Sequence, residues 1–405
     1  MALRGNLLVG QSGGPTAVIN ASLAGVIEEA KKHPEIDGIY GALNGVEGLL
    51  KEHLADLRAE PEETIALLPH TPSAALRSCR KKLSDADYAR LLAVFRAQDV
   101  RYFCYIGGND SADTAHRVGL LAKEAGWEMR VMGVPKTVDN DLAYTDHCPG
   151  YGSVARFNAL ATRDAGMDTA AMHRVDVVKI VETMGRNAGW ITAATALGRE
   201  QPGDPPHLIY LPERAFDPER FLAEVKAQVE RGRGCVVAVC EGLRDAEGEI
   251  LVSFKHAVGT DSFGHSQLGG VGNYLVDVIA EGLSIKARFD KAGTIQRACG
   301  VAQSGVDVAE AKMVGGAAVA AACRGESDQM VTLVRVSQSP YRCETSLAPL
   351  EAVANAERPV PDEFIAESGN DVTSAFIEYA RPLIGGPLPR YARLKLAPVP
   401  KKAGG

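Results

Sequence analysis

The stretch "YFCYIGGNDSADTAHRVGLLAKEAGWEMRVMGVP" (residues 102–135) places two short apolar runs on either side of a helix-like segment. The runs at residues 102–108 and 130–135 are continuous rather than alternating, which is typical of strands that are covered on both faces. Two such strands joined through a helix are the unit of a parallel sheet. The stretch therefore predicts an α/β fold.

The same alternation of apolar runs and helix-like segments continues through most of the chain. A helix is predicted after the run at residues 6–10, because five apolar residues from Ile19 to Ala30 recur at intervals of three and four. In parallel sheets, ligands bind in the crevice beyond the carboxyl ends of the strands. We therefore expect the functional side chains where the apolar runs end. The other predicted strands lie within residues 175–185, 207–213, 234–242 and 329–336.

Composition narrows the class of protein. The 405 residues are 46% hydrophobic and 23% charged, which is ordinary for a globular protein, and this length predicts about two or three domains. A formal net charge of −7 argues against nucleic acid as a partner. The eight cysteines show no zinc-site spacing, and no apolar stretch is long enough to span a membrane. We expect a soluble, cytoplasmic protein with reduced thiols that binds neither nucleic acid nor membrane.

Two glycine-rich segments follow predicted strands. In "GQSGGPTAVIN" (10–20), paired glycines would let the backbone approach a phosphate, although a plain strand-to-helix turn has the same pattern. In "IGGNDSADTA" (106–115), Asn109, Asp110 and Ser111 place oxygen atoms at the start of a predicted helix. Asp110 is either an ordinary helix cap or a ligand for Mg²⁺ bound to phosphate. Neither segment decides between its alternatives by itself.

The segment "PKTVDND" (135–141) is harder to explain as a surface turn. Asp139 and Asp141 are separated by one residue, so in an extended segment both carboxylates would face the same crevice. Two adjacent like charges cost free energy unless a metal, a cation or a proton transfer uses them. A solvated turn with an incidental lysine is the alternative. The functional hypothesis is a general base for a hydroxyl beside Lys136, a cation for a phosphate.

Two further strands end in residues suited to a phosphorylated sugar. In "ETMGRNAGW" (182–190), Arg186 could grip a transferring phosphoryl group through two hydrogen bonds, or it could be an ordinary surface arginine. In "CEG" (240–242), the carboxylate of Glu241 could accept hydrogen bonds from sugar hydroxyls. Both positions follow a predicted strand, as the ligand-binding edge of a parallel sheet requires.

The segment "RFDKAGTIQR" (288–297) brings together Arg288, Lys291 and Arg297. Three cations are enough to bind one sugar phosphate. A charge cluster of this kind is more often a solvated face, so the segment is a weak signal when it is taken alone.

Taken in order, these segments resemble the phosphofructokinase family. The resemblance covers roughly residues 5–340, and its most specific parts are "PKTVDND", "MGRNAGW" and "IQR". It implies phosphoryl transfer to the 1-hydroxyl of fructose 6-phosphate. The implied fold has two Rossmann-like, three-layer α/β/α domains with mainly parallel sheets and the active site in the cleft between them. The resemblance also implies a homodimer or homotetramer, because this family builds sites across subunit interfaces.

On this resemblance, residues 1–150 would form a phosphoryl-donor domain and residues 151–295 a sugar-phosphate domain. Residues 296–405 would return to complete the first domain and would add a C-terminal extension. The residues after about 340 suggest no chemistry, and we expect them to pack as helices against the first domain.

The resemblance implies a role for each residue that matches a family motif. Asp139 would be the base that accepts the proton of the 1-hydroxyl, and Arg186 would stabilise charge in the transition state, with Lys136 and Asp110 completing the catalytic group. The residues expected to bind fructose 6-phosphate are Thr137, Asp141, Met184, Gly185, Glu241, Arg288, Thr294 and Arg297. Those expected to bind the diphosphate are Gly14, Arg80, Gly108 and Ser111, and those expected to bind Mg²⁺ are Asp110 and Asn109.

The identity of the phosphoryl donor depends on Lys136 and Asp110. ATP-using relatives usually carry glycine at these two positions. Asp110 would crowd and repel the α-phosphate of ATP, and Lys136 would neutralise the leaving group of a diphosphate. The resemblance therefore favours the pyrophosphate-dependent branch, which produces fructose 1,6-bisphosphate and phosphate in a reversible reaction. The alternatives are an ATP-dependent 6-phosphofructokinase and a non-catalytic sugar-phosphate sensor, and the retained Asp139 argues against the sensor.

Three positions depart from the family pattern. Asn109 stands where most relatives carry a magnesium-binding aspartate, and Thr294 stands where a histidine or tyrosine is usual. Val177 occupies a position from which a basic residue commonly reaches into the site of the neighbouring subunit. Lys179 or Arg174 could replace that basic residue.

Overall fold

Two sheets carry the architecture of the chain, which a computed structural model describes at residues 3–252, 270–354 and 356–401. The strands are β1 (Gly5–Gln11), β2 (Ile36–Ala42), β3 (Leu54–Asp56), β4 (Val100–Gly107), β5 (Arg130–Pro135), β6 (Val178–Thr183), β7 (Leu208–Tyr210), β8 (Cys235–Cys240), β9 (Ala287–Lys291), β10 (Gln329–Gln338) and β11 (Tyr341–Pro349). The helices are α1 (Ile19–Ala30), α2 (Gly45–Leu50), α3 (Glu62–Leu67), α4 (Asp85–Ala97), α5 (Asn109–Glu124), α6 (Tyr151–Met172), α7 (Trp190–Ala194), α8 (Pro218–Val229), α9 (Val271–Leu283), α10 (Ile295–Ala298), α11 (Gly305–Cys323), α12 (Leu350–Val353) and α13 (Ser374–Ala380).

The first sheet has seven strands in the order β11-β10-β5-β4-β1-β2-β3, with parallel pairing from β10 to β2 and antiparallel pairing at both edges. The central strand β1 shows why its apolar run is continuous. Leu7 and Val9 pack in the core that contains α1 and α11, whereas Leu8 packs in the core that contains α4 and α5. Because successive side chains of a strand point to opposite faces, helices on both faces require apolar residues at every position.

The second sheet has four parallel strands in the order β7-β8-β6-β9. Its β8 follows the same rule as β1. Val237 and Val239 pack in the core that contains α8 and α9, and Ala238 packs in the core that contains Trp190 of α7. The α/β fold with mainly parallel sheets, predicted from the sequence, is therefore confirmed.

Several elements of the sheets were not predicted. The strand β2 is interrupted by glycine and charged residues, and β9 lies in the segment that we interpreted only as a charge cluster. The strand β11 was not predicted either, and it pairs with the predicted strand β10, which pairs with β5 and brings the chain back to the first sheet. The last part of the chain differs from our expectation, because Val360, Ile365 and Phe376 pack in the core that contains Trp190 rather than against the first sheet.

Within the described ranges, no helix combines the length and the apolar character that crossing a membrane requires. The eight cysteines all lie in these ranges and are free thiols, and five of them are buried. Burial raises the pKa of several of these thiols, for example that of Cys104 to about 12, which is the behaviour of inert core cysteines.

Candidate active site

A cavity of about 560 Å³ lies beyond the carboxyl ends of β4, β5, β6 and β8, so residues from both sheets line it. Ligands bind at this edge of parallel sheets because the loops that follow the strands converge there. Fourteen of the residues selected from the sequence line the cavity. They are Gly14, Arg80, Gly108, Asn109, Asp110, Ser111, Lys136, Thr137, Asp139, Asp141, Met184, Gly185, Arg186 and Glu241.

The loop after β5 carries the two aspartates. Asn140 between them has φ of 56°, a left-handed conformation that asparagine tolerates better than most residues. The loop is thus a turn and not the extended segment that the sequence suggested, although both carboxylates still line the cavity. The Thr137 hydroxyl accepts a hydrogen bond of 3.1 Å from the Asp139 backbone N–H, which fixes the start of the turn.

The carboxylate of Asp139 is held in an environment that favours its neutral form. Burial, followed by the charges of Asp141 and Glu241, raises its pKa to about 7, against the opposing effect of Lys136 and Arg297. Burial also raises the pKa of Asp141. Lys136 and Asn140 of this segment are buried and both aspartates are half-buried, so the solvated-turn alternative for this segment is wrong. A carboxylate with a pKa near neutrality is suited to general base catalysis.

Cations gather around the loop that precedes α1. Lys136 is buried, with 4% of its surface exposed, and its Nζ donates a hydrogen bond of 2.9 Å to the Gly14 carbonyl. A Cβ atom on Gly14 would lie 2.7 Å from Nη1 of Arg297, which would have to shift, and 3.7 Å from Nη2 of Arg80, so both guanidinium groups lie close to the backbone here. Burial, then repulsion by Arg297, lowers the pKa of Lys136 to about 8. Three mutually repelling cations form an anion site.

The start of α5 faces the same cavity. Its N-cap is Gly108, without a side-chain hydrogen bond, so Asp110 is not the helix cap that the sequence left open. Asn109 accepts a hydrogen bond of 2.9 Å from the Asp110 backbone N–H. Carboxylate and amide oxygens are the ligands that Mg²⁺ prefers, and both side chains line the anion-binding cavity, so this donor set fits Mg²⁺ bound to phosphate.

The loop after β6 presents Arg186 to the cavity. Gly185 has φ of 129°, and a Cβ atom there would lie 2.8 Å from the Ala188 carbonyl oxygen, so the turn requires glycine. Gly242 has a similar function, because its Cβ would lie 1.9 Å from the Arg186 carbonyl oxygen. The glycine after Glu241 therefore lets the Arg186 loop pack directly on the end of β8.

The predicted residues for the sugar 6-phosphate are not brought together. Arg288 lies in β9 with its Nε 2.7 Å from Asp176, and Thr294 is exposed just before α10, so neither lines the cavity. Arg297 lies against Gly14, among the cations of the predicted donor site. Lys179, a candidate to replace the basic residue expected at position 177, is buried and donates a hydrogen bond of 2.9 Å to Asp290.

Four cavity residues were missed by the sequence reasoning. Gly13, Asn187 and Ala188 lie inside motifs that we had selected, so the signal for them was present. Glu357 comes from the C-terminal extension, and its Oε1 accepts a hydrogen bond of 2.9 Å from the Asn187 amide. Nothing in the local sequence around Glu357 marks it, because only the tertiary structure brings position 357 to the cavity.

The arrangement defines a class of enzyme. A buried lysine and two arginines at a glycine loop, an aspartate with a pKa near neutrality and an arginine from the loop after β6 are the parts that phosphoryl transfer needs, since that reaction depends on positioning and on electrostatic stabilisation. The site is that of a phosphotransferase.

Comparisons with known proteins specify the class. Residues 6–322 match the phosphofructokinase family model, and the chain belongs to the phosphofructokinase family. It is 45% identical to the pyrophosphate–fructose 6-phosphate 1-phosphotransferase of Xanthomonas campestris and 44% identical to that of Methylococcus capsulatus. The first alignment covers 98% of both chains, and the second covers 99% of this chain and 98% of the relative. The crystal structure of the pyrophosphate-dependent phosphofructokinase from Nitrosospira multiformis is similar with a TM-score of 0.87, at 41% identity and 99% coverage of each chain.

Proposed function

We propose that the protein is a 6-phosphofructokinase that uses diphosphate, transferring a phosphoryl group reversibly to the 1-hydroxyl of fructose 6-phosphate. The products are fructose 1,6-bisphosphate and phosphate. The observation that carries the proposal is the group of cations around Gly14, formed by Lys136, Arg80 and Arg297, next to the half-buried Asp139. The activity named for the relatives supports the same reaction.

Asp139 is the general base in this proposal. Its carboxylate accepts the proton of the 1-hydroxyl, and its pKa of about 7 makes it a stronger base than an ordinary aspartate while part of it is still ionised at neutral pH. Lys136 and Arg186 line the same cavity and stabilise the charge on the transferring group and on the departing phosphate. Because these side chains are already buried or held by the loops around them, little reorganisation is needed during the reaction.

We propose that the donor diphosphate lies against Gly14, Arg80, Gly108 and Ser111. The residues Asp110 and Asn109 would bind Mg²⁺, which neutralises part of the charge of the diphosphate. Asp110 is exposed in the cavity, where its carboxylate would repel the additional phosphate of a nucleotide. Lys136 supplies a buried positive charge that would neutralise part of the negative charge of a diphosphate.

The sugar would lie on the side of the cavity formed by the second sheet. Thr137, Asp141, Met184, Gly185 and Glu241 line the cavity and would bind the acceptor. Arg297 would bind phosphate from α10. Arg288 and Thr294 lie outside the cavity of their own chain, so we propose that they serve the 6-phosphate in a homodimer or homotetramer, with Arg288 reaching the cleft of a second copy. The location of the protein in the cytoplasm stays a prediction.

The proposed donor is tested by measuring turnover of fructose 6-phosphate with diphosphate and, separately, with ATP. Purified protein with Mg²⁺ and fructose 6-phosphate should be active with diphosphate and at least about 100-fold less active with ATP. The double variant Lys136→Gly with Asp110→Gly should lose diphosphate activity and gain activity with ATP. Equal turnover with ATP in the unmodified protein would contradict the proposed donor, and no turnover with either donor would favour the non-catalytic sensor.

A further inference from the structure

The C-terminal extension reaches the candidate active site at Glu357, the first residue of the segment 357–360, "ERPV", to which the family motifs assign no role. Glu357 lines the cavity, where its carboxylate accepts a hydrogen bond from Asn187 of the Arg186 loop. The next residue, Arg358, contacts the loop that follows β5. The segment 357–360 therefore touches both loops that carry the proposed catalytic residues.

The guanidinium group of Arg358 holds the loop after β5 by its backbone. Its Nη1 donates hydrogen bonds to the carbonyls of Thr145 at 2.8 Å and Asp146 at 2.6 Å, and its Nη2 donates to the Asn140 carbonyl at 2.9 Å. The backbone N–H of Arg358 also donates to the Asp141 carbonyl at 2.7 Å. One residue thus binds four carbonyls of residues 140–146.

These four contacts matter because residues 140–146 belong to no helix or strand. Buried backbone carbonyls need hydrogen-bond donors, and an irregular loop cannot supply them from a regular ladder. Asn140 is fully buried and has a left-handed backbone, so its conformation depends on the contacts around it. The planar fork of arginine holds its donors in a fixed, spread geometry that can reach separate acceptors, which the compact ammonium group of lysine cannot reproduce.

The same segment is anchored to the second sheet. The Arg358 guanidinium lies 4.8 Å from the centre of the Trp190 ring, and the Trp190 indole N–H donates to the Arg358 carbonyl at 2.9 Å. One carboxylate oxygen of Glu213 accepts 2.9 Å hydrogen bonds from the N–H groups of both Gly189 and Val360. The position of Arg358 is therefore fixed by the element that follows Arg186, and Arg358 in turn fixes the turn that carries Asp139.

We propose that Arg358 is a positioning residue for catalysis, which links the Asp139 turn to the Arg186 loop and sets the distance between the general base and the transferring group. This inference rests on the proposed function for its kinetic readout. It makes the C-terminal extension part of the catalytic apparatus. Loss of Arg358 should lower kcat more than it raises KM, because Arg358 does not line the cavity and a small displacement of a base reduces turnover strongly.

The test compares Arg358→Met and Arg358→Lys with the matched control Arg381→Met. Arg381 lies in the same extension, is exposed and donates a 2.9 Å hydrogen bond to the Leu197 carbonyl, and its hydrogen bonds within the described residues reach neither catalytic loop. We expect kcat with diphosphate to fall at least 30-fold in Arg358→Met, with KM for fructose 6-phosphate within threefold of the original value. Arg358→Lys should regain only part of kcat, and Arg381→Met should stay within twofold.

Hydrogen exchange provides a readout that does not need turnover. In Arg358→Met the amides of residues 137–148 should exchange at least tenfold faster, while those of β6 should be unchanged. If Arg358→Met does not fold, the same exchange and kinetic measurements on Arg358→Lys test whether Arg358 positions the loop. Unchanged exchange in residues 137–148, or equal losses of kcat in the Arg358 and Arg381 variants, would overturn the proposal. Inactivity of the unmodified protein with diphosphate would instead reject the proposed function, and the exchange result would still test Arg358.

Discussion

The two ends of the candidate active site are built differently. At the end near Gly14, Lys136 is 4% exposed and hydrogen-bonded to the backbone, and Asp139 is half-buried with a raised pKa. At the other end, the side chain of Arg288 is 54% exposed, pairs with Asp176 and lies outside the cavity. One chain therefore builds the end where a proton and a phosphoryl group would move. Arg288, which was predicted to bind the 6-phosphate of the sugar, remains on the surface of the chain.

This difference has a physical basis. The pKa shifts of Lys136 and Asp139 arise mainly from removal from water, which requires loops that one chain can pack tightly, as the turn at Asn140 does. A surface cation needs no such support, since it keeps its hydration and a modest ion pair until a ligand or a second chain reaches it. The following predictions test whether the end near Gly14 is a chemical centre and whether the Arg288 end is completed by assembly.

The largest effect is expected for Asp139→Asn. Removing the general base should lower kcat with diphosphate about 1000-fold, because an amide cannot accept the proton of the 1-hydroxyl. Steady-state kinetics of the purified variant measure this loss. A variant that keeps more than a tenth of the original kcat would show that Asp139 is not the base.

The same variant should be more stable than the original protein. The pKa of Asp139 is raised to about 7 in the folded state from 3.8, so its ionisation increasingly disfavours folding as the pH rises from about 4 to 7. Asparagine removes that penalty. Thermal unfolding should therefore show a Tm difference of several degrees above about pH 7, which shrinks as the pH falls towards 4. A Tm difference that stays constant between pH 4 and 7 would contradict the raised pKa of Asp139.

Lys136→Met should have the second largest effect, a loss of about 100-fold in kcat, because the transition state loses a buried positive charge. In the original protein, activity should fall at low pH as Asp139 is protonated near pH 7, and at high pH as Lys136 loses its proton near pH 8. Lys136→Arg should move only the alkaline limb to higher pH. A pH profile of kcat/KM that is flat between pH 6 and 9 would rule out this pair of groups.

Arg288→Ala should raise KM for fructose 6-phosphate about tenfold with little change in kcat, since one charged hydrogen bond to the phosphate is lost. Mixing this variant with Asp139→Asn during refolding or co-expression tests the assembly. If Arg288 serves a second copy, mixed assemblies contain some sites with both residues intact, and a component with the original KM and kcat should return. If no component with the original kinetics returns, then Arg288 acts either in the site of its own chain or in no active site.

The smallest effect is expected for Thr294→Ala. Thr294 is exposed and supplies at most one neutral hydrogen bond, so KM for fructose 6-phosphate should change by about threefold or less. The same assay measures this value. A larger change would mean that Thr294 is covered and contacts the sugar phosphate directly in the assembled protein.

Much of the fold could be predicted because burial on both faces leaves a direct mark on the sequence. The strands β1, β4, β5, β6, β8 and β10 all appeared as apolar runs. The strands β2, β9 and β11 did not, since glycines and charged residues interrupt them. Most of the candidate site was predictable for a related reason, because its residues follow directly on buried strands and are grouped in short motifs.

The sequence by itself determined the alternating α/β pattern, the resemblance to phosphofructokinases and the residues that line most of the cavity. It did so because those features are local: a strand, its glycine turn and the next polar residues are neighbours in the chain. Only the tertiary structure decided that Arg297 lies against Gly14, that Arg288 does not line the cavity, and that Arg358 binds the Asp139 turn from more than 200 positions away. Contacts between distant segments depend on how whole elements pack, and no local pattern encodes them.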